Sequence, residues 1–199
     1  MWLSVVFAFA LGIGLFFLLP NFLIGLIKDR IVNDSAASSI LANLYEGIIR
    51  IVIFLVYILL ISNMHDIKRV FAYHGAEHKT IHCYESGKAL EPKNARKFSR
   101  LHPRCGTSFL LIVMVVSILF FSFIAWNNPL QRLLYRLLLL PIIAGVSYEI
   151  IRFAGKHDNI VTRIISAPGM WLQRLTTYEP DDSQIEVAIA ALKAVIDDN

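Results

Sequence analysis

The sequence predicts an all-α integral membrane protein: a helical bundle with about four transmembrane helices, a cytoplasmic helical hairpin and an amphipathic C-terminal tail. Two observations lead to this fold class. Of the 199 residues, 56% are hydrophobic and only 17% are charged, whereas a soluble domain carries roughly 25% charged residues. Trp2–Ile27 and Gly106–Trp126 contain no charged residue over 26 and 21 positions. A helix needs about 20 apolar residues to cross a bilayer, so each stretch is long enough.

Two further apolar stretches carry charges near their ends. Leu44–Asn63 contains Glu46 and Arg50, and Leu133–Ile151 contains one arginine and one glutamate. Long charged side chains near a helix end can reach the headgroups, and Glu46 and Arg50 are spaced to pair on one helix face. The first stretch is too long for a cleaved signal peptide and lacks a basic start. We therefore expect four spans.

The charge distribution predicts the orientation. The four expected spans divide the chain into four segments: residues 1–63 with the first two spans, the loop 64–105, residues 106–152 with the last two spans, and the tail 153–199. The loop and the tail from Arg152 onward contain 14 of the 19 Lys and Arg residues. Positive charge is retained in the cytoplasm, so we place the loop and both termini there. The net charge of +4 suits anionic headgroups. No aromatic-interleaved basic motif points to nucleic acid.

The loop is expected to form a helical hairpin. Asp66 is a suitable N-cap and Gly87 a suitable C-terminal stop for its first helix. Pro92 suits the first turn of a second helix, which we expect to run to about Leu101.

Two amphipathic helices are predicted in the tail. Ile160–Leu175 has the composition of a helix in the membrane interface, with packing against the protein's own loop as the alternative. Ser183 and Glu186 match a capping box at the start of a last helix. The apolar face of that helix must pack against this protein or a protein partner: Ile185, Ala188, Ile189, Leu192, Val195 and Ile196.

The residues with the most chemistry lie in the loop. Six of the eight His and Cys residues fall between His74 and Cys105, a window of 32 residues. His74, His78 and His82 recur every four residues on one helix face, and neighbours one turn apart can share a metal ion. Cys83 lies off this row. The predicted ligands of a divalent metal, zinc by its ligand types, are His74, His78, His82, Glu85, His102 and Cys105.

A short motif within the row suggests a reaction. His74-Gly75-Ala76-Glu77-His78 fits H-x-x-E-H, the inverted zinc-protease pattern, in which Glu77 would take a proton from metal-activated water. This predicts a metal-dependent hydrolase at the membrane surface. The alternative is a non-enzymatic scaffold with a closed structural metal site. Its basic loop and C-terminal helix would then bind a protein or ribosomal partner. The substrate and the oligomeric state stay open.

Three segments resemble one protein family. They are Tyr73–Glu85 (YHGAEHKTIHCYE), Arg96–Ser108 (RKFSRLHPRCGTS) and Leu175–Asp182 (LTTYEPDD), and they look like the signature of the YqhQ-like family. The similarity covers essentially the whole chain. It implies a bacterial inner-membrane protein and a metal-dependent enzyme of unspecified reaction, and it implies that longer members carry a soluble segment before the first span.

Overall fold

The computed structural model describes residues 2–31, 36–123, 129–157 and 159–197. These residues form helices and no β-strand, which confirms the all-α class. A π-helical turn over Gly14–Leu18 follows the first helix. In chain order the α-helices are α1 (Trp2–Ile13), α2 (Leu19–Ile31), α3 (Ala36–Ile61), α4 (His65–Glu85), α5 (Pro92–Ala95), α6 (Gly106–Ser122), α7 (Pro129–Lys156), α8 (Ile160–Thr176) and α9 (Asp182–Asp197).

Three helical stretches are long and apolar enough to cross a membrane, which indicates a membrane protein. They are Trp2–Leu26, Ile40–Ile61 and Leu134–Lys156, with 25, 22 and 23 residues. The apolar helix α6 has 17 residues and rises about 25 Å, whereas the hydrocarbon core of a bilayer is about 30 Å thick. The uncharged sequence beyond α6 continues over residues 124–126, which lie outside the described part of the chain.

Contacts divide the chain into two compact units. We call the first the span unit (residues 1–57 and 112–149) and the second the site unit (residues 58–111 and 150–199). The described residues of the predicted cytoplasmic loop and tail fall within the site unit.

A charged cluster is buried in the span unit. Glu46 is only 3% exposed, and its carboxylate pairs with Arg50 one turn later, which confirms the pairing predicted from their spacing. Nη2 of Arg136 in α7 lies 3.4 Å from the same carboxylate oxygen. Buried charges are costly unless they are paired and hydrogen-bonded, so the cluster ties α3 to α7 inside this unit.

The core of the site unit joins α4 to α9. Its buried members are Ala76, Cys83, Ala95, Ile185 and Ile189. Part of the predicted apolar face of α9 is therefore buried against the chain's own hairpin, while Val195 at its far end is 64% exposed. Cys83 contributes to packing in this core, consistent with its position off the histidine row.

Two ends of the hairpin helices differ from the expected ones, whereas the predicted C-terminal stop at Gly87 is confirmed. Met64 is the N-cap of α4, so Asp66 lies in the first helical turn. Gly87 follows the helix with φ of +69°, the left-handed conformation that ends many helices. α5 is one turn instead of a helix to Leu101. The residues after α5 do not continue the helix. Their carbonyl groups bind the buried Lys79 instead, whose Nζ donates to the carbonyl oxygens of residues 96 and 98 at 3.0 and 2.8 Å.

A capping box also begins α9, but two residues before the predicted one. The backbone N–H of Gln184 donates to the Asp181 carboxylate at 2.9 Å, and the backbone N–H of Asp181 donates to the Gln184 side chain at 3.0 Å. Asp181 and Gln184 thus satisfy each other's free N–H groups, and the predicted pair Ser183 and Glu186 does not form the box. The Ser183 hydroxyl donates to Asp181 as well, at 2.7 Å.

Candidate metal centre

Four imidazoles form one contiguous cluster in the site unit. α4 is helical throughout, and the ring centroids of His74 and His78 are 4.4 Å apart. His102, from the loop after α5, lies 4.5 Å from His82 and 5.8 Å from His78. The fold therefore brings the distant His102 onto the row that α4 provides.

The first ligand group consists of His74, His78 and Cys105. Their candidate ligand atoms all lie within 4.8 Å of one another, and His74 Nε2 is 3.2 Å from Cys105 Sγ. The ligand atoms of a tetrahedral zinc ion are about 3.5 Å apart, so small side-chain adjustments would bring these three atoms around one ion. His74 and Cys105 are half-buried and buried, respectively.

Backbone carbonyls orient both imidazoles of this group. His74 Nδ1 lies 2.8 Å from the carbonyl oxygen of Thr176, and His78 Nδ1 lies 2.6 Å from that of Arg100. A carbonyl oxygen can only accept, so each Nδ1 carries the hydrogen in the tautomer that this network assigns. In the neutral rings each Nε2 then holds the lone pair. This is the usual arrangement around metal-binding histidines, in which the second nitrogen donates to a backbone or carboxylate oxygen.

The surroundings favour the thiolate form of Cys105. Burial by itself raises the pKa of this thiol, but hydrogen bonds with His74, His78 and Thr107 outweigh it and lower the pKa to about 5. The same hydrogen bond to Cys105 raises the pKa of His74 against the opposing effect of burial. Since the thiolate is the form that ligates metals, Cys105 is preorganised as a ligand at neutral pH.

The second group consists of His82, Glu85 and His102, whose candidate ligand atoms also lie within 4.8 Å of one another. His82 Nε2 donates to the Leu101 carbonyl oxygen at 3.0 Å, which leaves its Nδ1 lone pair available. His102 Nδ1 accepts the backbone N–H of Arg104 at 3.2 Å, and its Nε2 lies 3.5 Å from Glu85.

Most atoms of this second group already have protein partners. The Glu85 carboxylate forms an ion pair with the Arg104 guanidinium. Burial, followed by the nearby His82, lowers the pKa of His102, so this ring is neutral and its Nε2 carries the hydrogen. The donor set could hold a cation, but only if the ion displaced existing hydrogen bonds. The first group fits a metal better.

Gln173 of α8 holds the segment that carries His102 and Cys105. Its fully buried side chain accepts from the His102 backbone N–H at 2.8 Å. It donates to the His102 carbonyl oxygen at 2.8 Å and to the Ser108 hydroxyl at 2.7 Å. No local sequence pattern marks this residue, because a glutamine in an amphipathic helix looks like part of the solvated face.

The chain after α8 crosses α4 beside the first group. The Tyr178 backbone N–H donates to the Phe71 carbonyl oxygen at 2.9 Å. At Gly75, one turn along α4, a Cβ atom would collide with the Tyr178 carbonyl oxygen. The absence of a side chain at Gly75 therefore permits the close approach that brings the Thr176 carbonyl to His74.

Glu77 belongs to neither group. Its side chain is exposed and lines a cavity between α4 and α9 together with Tyr73, Thr80 and Ile81. Its charge contributes to the raised pKa of His74 as the last and smallest of the causes. The role of Glu77 as a base stays a prediction, whereas the six residues predicted as ligands are all brought into the two groups.

Comparison with known proteins agrees with the resemblance found in the sequence. Residues 1–198 match the family described as "Protein of unknown function (DUF1385)". The chain is 35% identical over 192 residues to "Uncharacterized protein YqhQ" of Bacillus subtilis (strain 168), covering 96% of this chain and 59% of that protein. It thus spans about three-fifths of the length of this curated relative. No solved structure matches. The chain belongs to the DUF1385 family, which includes YqhQ-like proteins.

Proposed function

We propose that this protein is a metal-dependent hydrolase of the bacterial inner membrane. A divalent ion, zinc by the ligand types, would be held by His74, His78 and Cys105. One observation supports this most directly: the three candidate ligand atoms converge within 4.8 Å, while both Nδ1 atoms are tied to backbone carbonyls. Ordinary packing does not require a thiolate and two oriented imidazoles at one point.

Three protein ligands favour a catalytic site over a structural one. Structural zinc sites have four protein ligands, whereas catalytic sites keep one position for water or substrate. When bound, zinc lowers the pKa of water and polarises a carbonyl or phosphoryl oxygen. The substrate would be a peptide or a lipid headgroup, since both are available at a membrane surface.

We retain Glu77 as the proposed base, and its exposed position makes the proposal easy to test. Glu77→Gln preserves the size of the side chain and removes its charge. If Glu77 is the base, this variant keeps its metal and loses the cellular function of the protein. Glu91→Gln, at an exposed glutamate outside both ligand groups, is the matched control and should retain that function. Equal function in the two variants would remove Glu77 from the mechanism.

We further propose that the chain crosses the membrane four times, with α6 as the short third span and both termini in the cytoplasm. The excess of Lys and Arg in the loop 64–105 and the tail supports this orientation. Reporter fusions after residues 30, 90, 127 and 199 would test it. Cytoplasmic signals are expected at the second and fourth positions, and the opposite pattern would reject the orientation.

The metal site is tested by comparing the two cysteines. Cys105→Ala should lose bound metal as measured by elemental analysis of the purified protein, whereas Cys83→Ala, a buried cysteine outside both groups, should retain it. Cobalt substitution adds a second measurement, because a cobalt–thiolate absorption band should be present in Cys83→Ala and absent in Cys105→Ala. His78→Ala should behave like Cys105→Ala. Equal metal content in all three variants would refute the proposed ligands.

A closed structural site in a non-enzymatic scaffold is the second candidate. It is favoured by the position of His102, whose ring lies 5.8 Å from that of His78 and could supply a fourth ligand after rotation. X-ray absorption spectroscopy of the zinc protein would distinguish the two. Four nitrogen and sulfur ligands, with one lost in His102→Ala, indicate a scaffold. Three such ligands plus an oxygen, unchanged in His102→Ala, indicate an open site.

A further inference from the structure

Helix α8 has one face buried in the site unit and an opposite apolar face that is exposed. On the buried face, Leu172 and Gln173 are 1% and 0% exposed. On the other face, Ile160, Ile164 and Trp171 are 70%, 65% and 53% exposed. This helix thus packs on the protein's own loop and also presents an apolar surface outward, so the two alternatives predicted from its composition hold together.

The exposed apolar residues lie on one continuous stripe. With 100° between successive residues, Ile160, Ile164 and Trp171 fall within about 40° of one another around the helix axis. Single exposed apolar side chains are common, but a contiguous apolar stripe usually marks a surface that something covers.

The charges of α8 indicate what covers this stripe. Arg163 and Arg174 are eleven residues apart, so both lie along one edge of the stripe, and α8 contains no acidic residue. An apolar stripe with a tryptophan and a basic edge is the pattern of helices that lie in the headgroup region of anionic membranes. A protein-binding face would not require a uniformly cationic edge.

Chain continuity places α8 close to a membrane surface. The candidate membrane-spanning stretch Leu134–Lys156 ends only four residues before α8 begins at Ile160. A capping box of Asn159 and Thr162 starts the new helix, so the chain begins α8 directly after the end of the span. The helix holds two arginines in 17 residues, which suits a position along the interface instead of across the bilayer.

We propose that α8 binds the surface of an anionic lipid bilayer through the stripe formed by Ile160, Ile164 and Trp171, with Arg163 and Arg174 contacting lipid phosphates. This surface is independent of the proposed metal chemistry. Because Gln173 and the Thr176 carbonyl of the same helix hold the metal-site residues, bilayer binding fixes the candidate metal centre next to the headgroups.

Fluorescence quenching in full-length protein tests the proposal. Trp2→Phe and Trp126→Phe leave Trp171 as the reporter, and the protein is reconstituted in phosphatidylglycerol–phosphatidylcholine vesicles that contain brominated lipids. Bromines placed near the headgroups should quench Trp171 strongly, and aqueous iodide should quench it weakly. The matched control carries Trp171→Phe and Lys97→Trp, which moves the reporter to an exposed hairpin position. It should show the reverse pattern.

The role of charge is tested separately from the role of the stripe. In vesicles of phosphatidylcholine alone, bromine quenching of Trp171 should fall severalfold, and Arg163→Gln with Arg174→Gln should lower it to the same level in anionic vesicles. Ile164→Asp should make Trp171 accessible to iodide. Unchanged circular dichroism and thermal unfolding of these variants would show that the site unit is still folded.

Two results would overturn the proposal. If Trp171 is no more quenched by bromines than the control at position 97, the stripe does not contact lipid. If Trp171 is shielded from both bromine and iodide, a protein or a second copy of this chain covers the stripe. Neither result depends on whether the first ligand group holds a metal.

Discussion

Replacing His74 by leucine should raise the pKa of the Cys105 thiol in the metal-free protein. Hydrogen bonds lower that pKa from 9.0 to about 5 despite burial, and the bond from His74 is the largest of the lowering contributions. The pKa of this thiol therefore lies about 4 below its ordinary value of 9.0. At about 1.4 kcal/mol per unit, the surroundings favour thiolate over thiol by about 5 kcal/mol. Without the His74 ring, burial opposes fewer hydrogen bonds and the thiol becomes harder to ionise.

The assay is a pH titration of ultraviolet thiolate absorbance after removal of metal with a chelator. The parent protein should show a transition near pH 5 that is absent in Cys105→Ala. Cys83→Ala should keep the transition, because burial raises the pKa of Cys83. In His74→Leu the midpoint should move to higher pH. An unchanged midpoint would refute the assignment of the low pKa to this hydrogen bond.

The same pKa shift predicts the sign of a stability change. The folded protein holds the Cys105 proton less tightly than the unfolded chain does, so the thiolate stabilises the fold. This contribution is fully present above about pH 9, the unfolded value, and is lost as the pH falls toward 5. Thermal unfolding of the metal-free protein should therefore depend less steeply on pH in Cys105→Ala over this window.

Three other perturbations test the surroundings of the candidate centre. Gln173→Leu should lower the free energy of unfolding by about 1–3 kcal/mol and weaken metal binding, because the buried backbone groups of His102 lose their partners; unchanged metal affinity would contradict this. Gly75→Ala should destabilise the site unit, because its Cβ would collide with the Tyr178 carbonyl oxygen. Gly145→Ala is the control, because a Cβ there meets nothing within 4 Å, and it should be neutral or stabilising by up to about 1 kcal/mol. Thermal unfolding measures both effects. The hydrogen bond with Cys105 raises the pKa of His74 above its ordinary value. Competition titrations with a chelator should therefore show metal affinity falling as the pH is lowered, because protons compete with the metal for this imidazole. A flat profile would argue against His74 as a ligand.

Helix periodicity made the centre predictable as a set of residues. The spacing of His74, His78 and His82 places the three side chains on one face of a helix, and in the structure all three lie on one face of α4. The spacing did not divide the candidate ligands into two groups. That division depends on which ring nitrogen meets a backbone carbonyl, and the carbonyls of Arg100, Leu101 and Thr176 come from segments whose path no local pattern specifies.

Local patterns failed where a tertiary contact competed with them. Pro92 correctly indicated a helix start, but α5 stops after one turn because Lys79 binds the next carbonyls. At α9 the pattern of Ser183 and Glu186 predicts a capping box, but the structure uses one that begins two residues earlier, at Asp181. Gln173 had no signal at all, since its importance depends on being buried beside His102.

The hydrogen bond from His74 to the Thr176 carbonyl joins residues 102 positions apart. Helices α6 and α7 lie between them in the chain, so a ribosome makes both helices before it makes Thr176. A nascent chain that has produced every candidate ligand still lacks the group that orients the first one. The final geometry of the first ligand group is therefore completed late in biosynthesis, after the hydrophobic segments have left the ribosome.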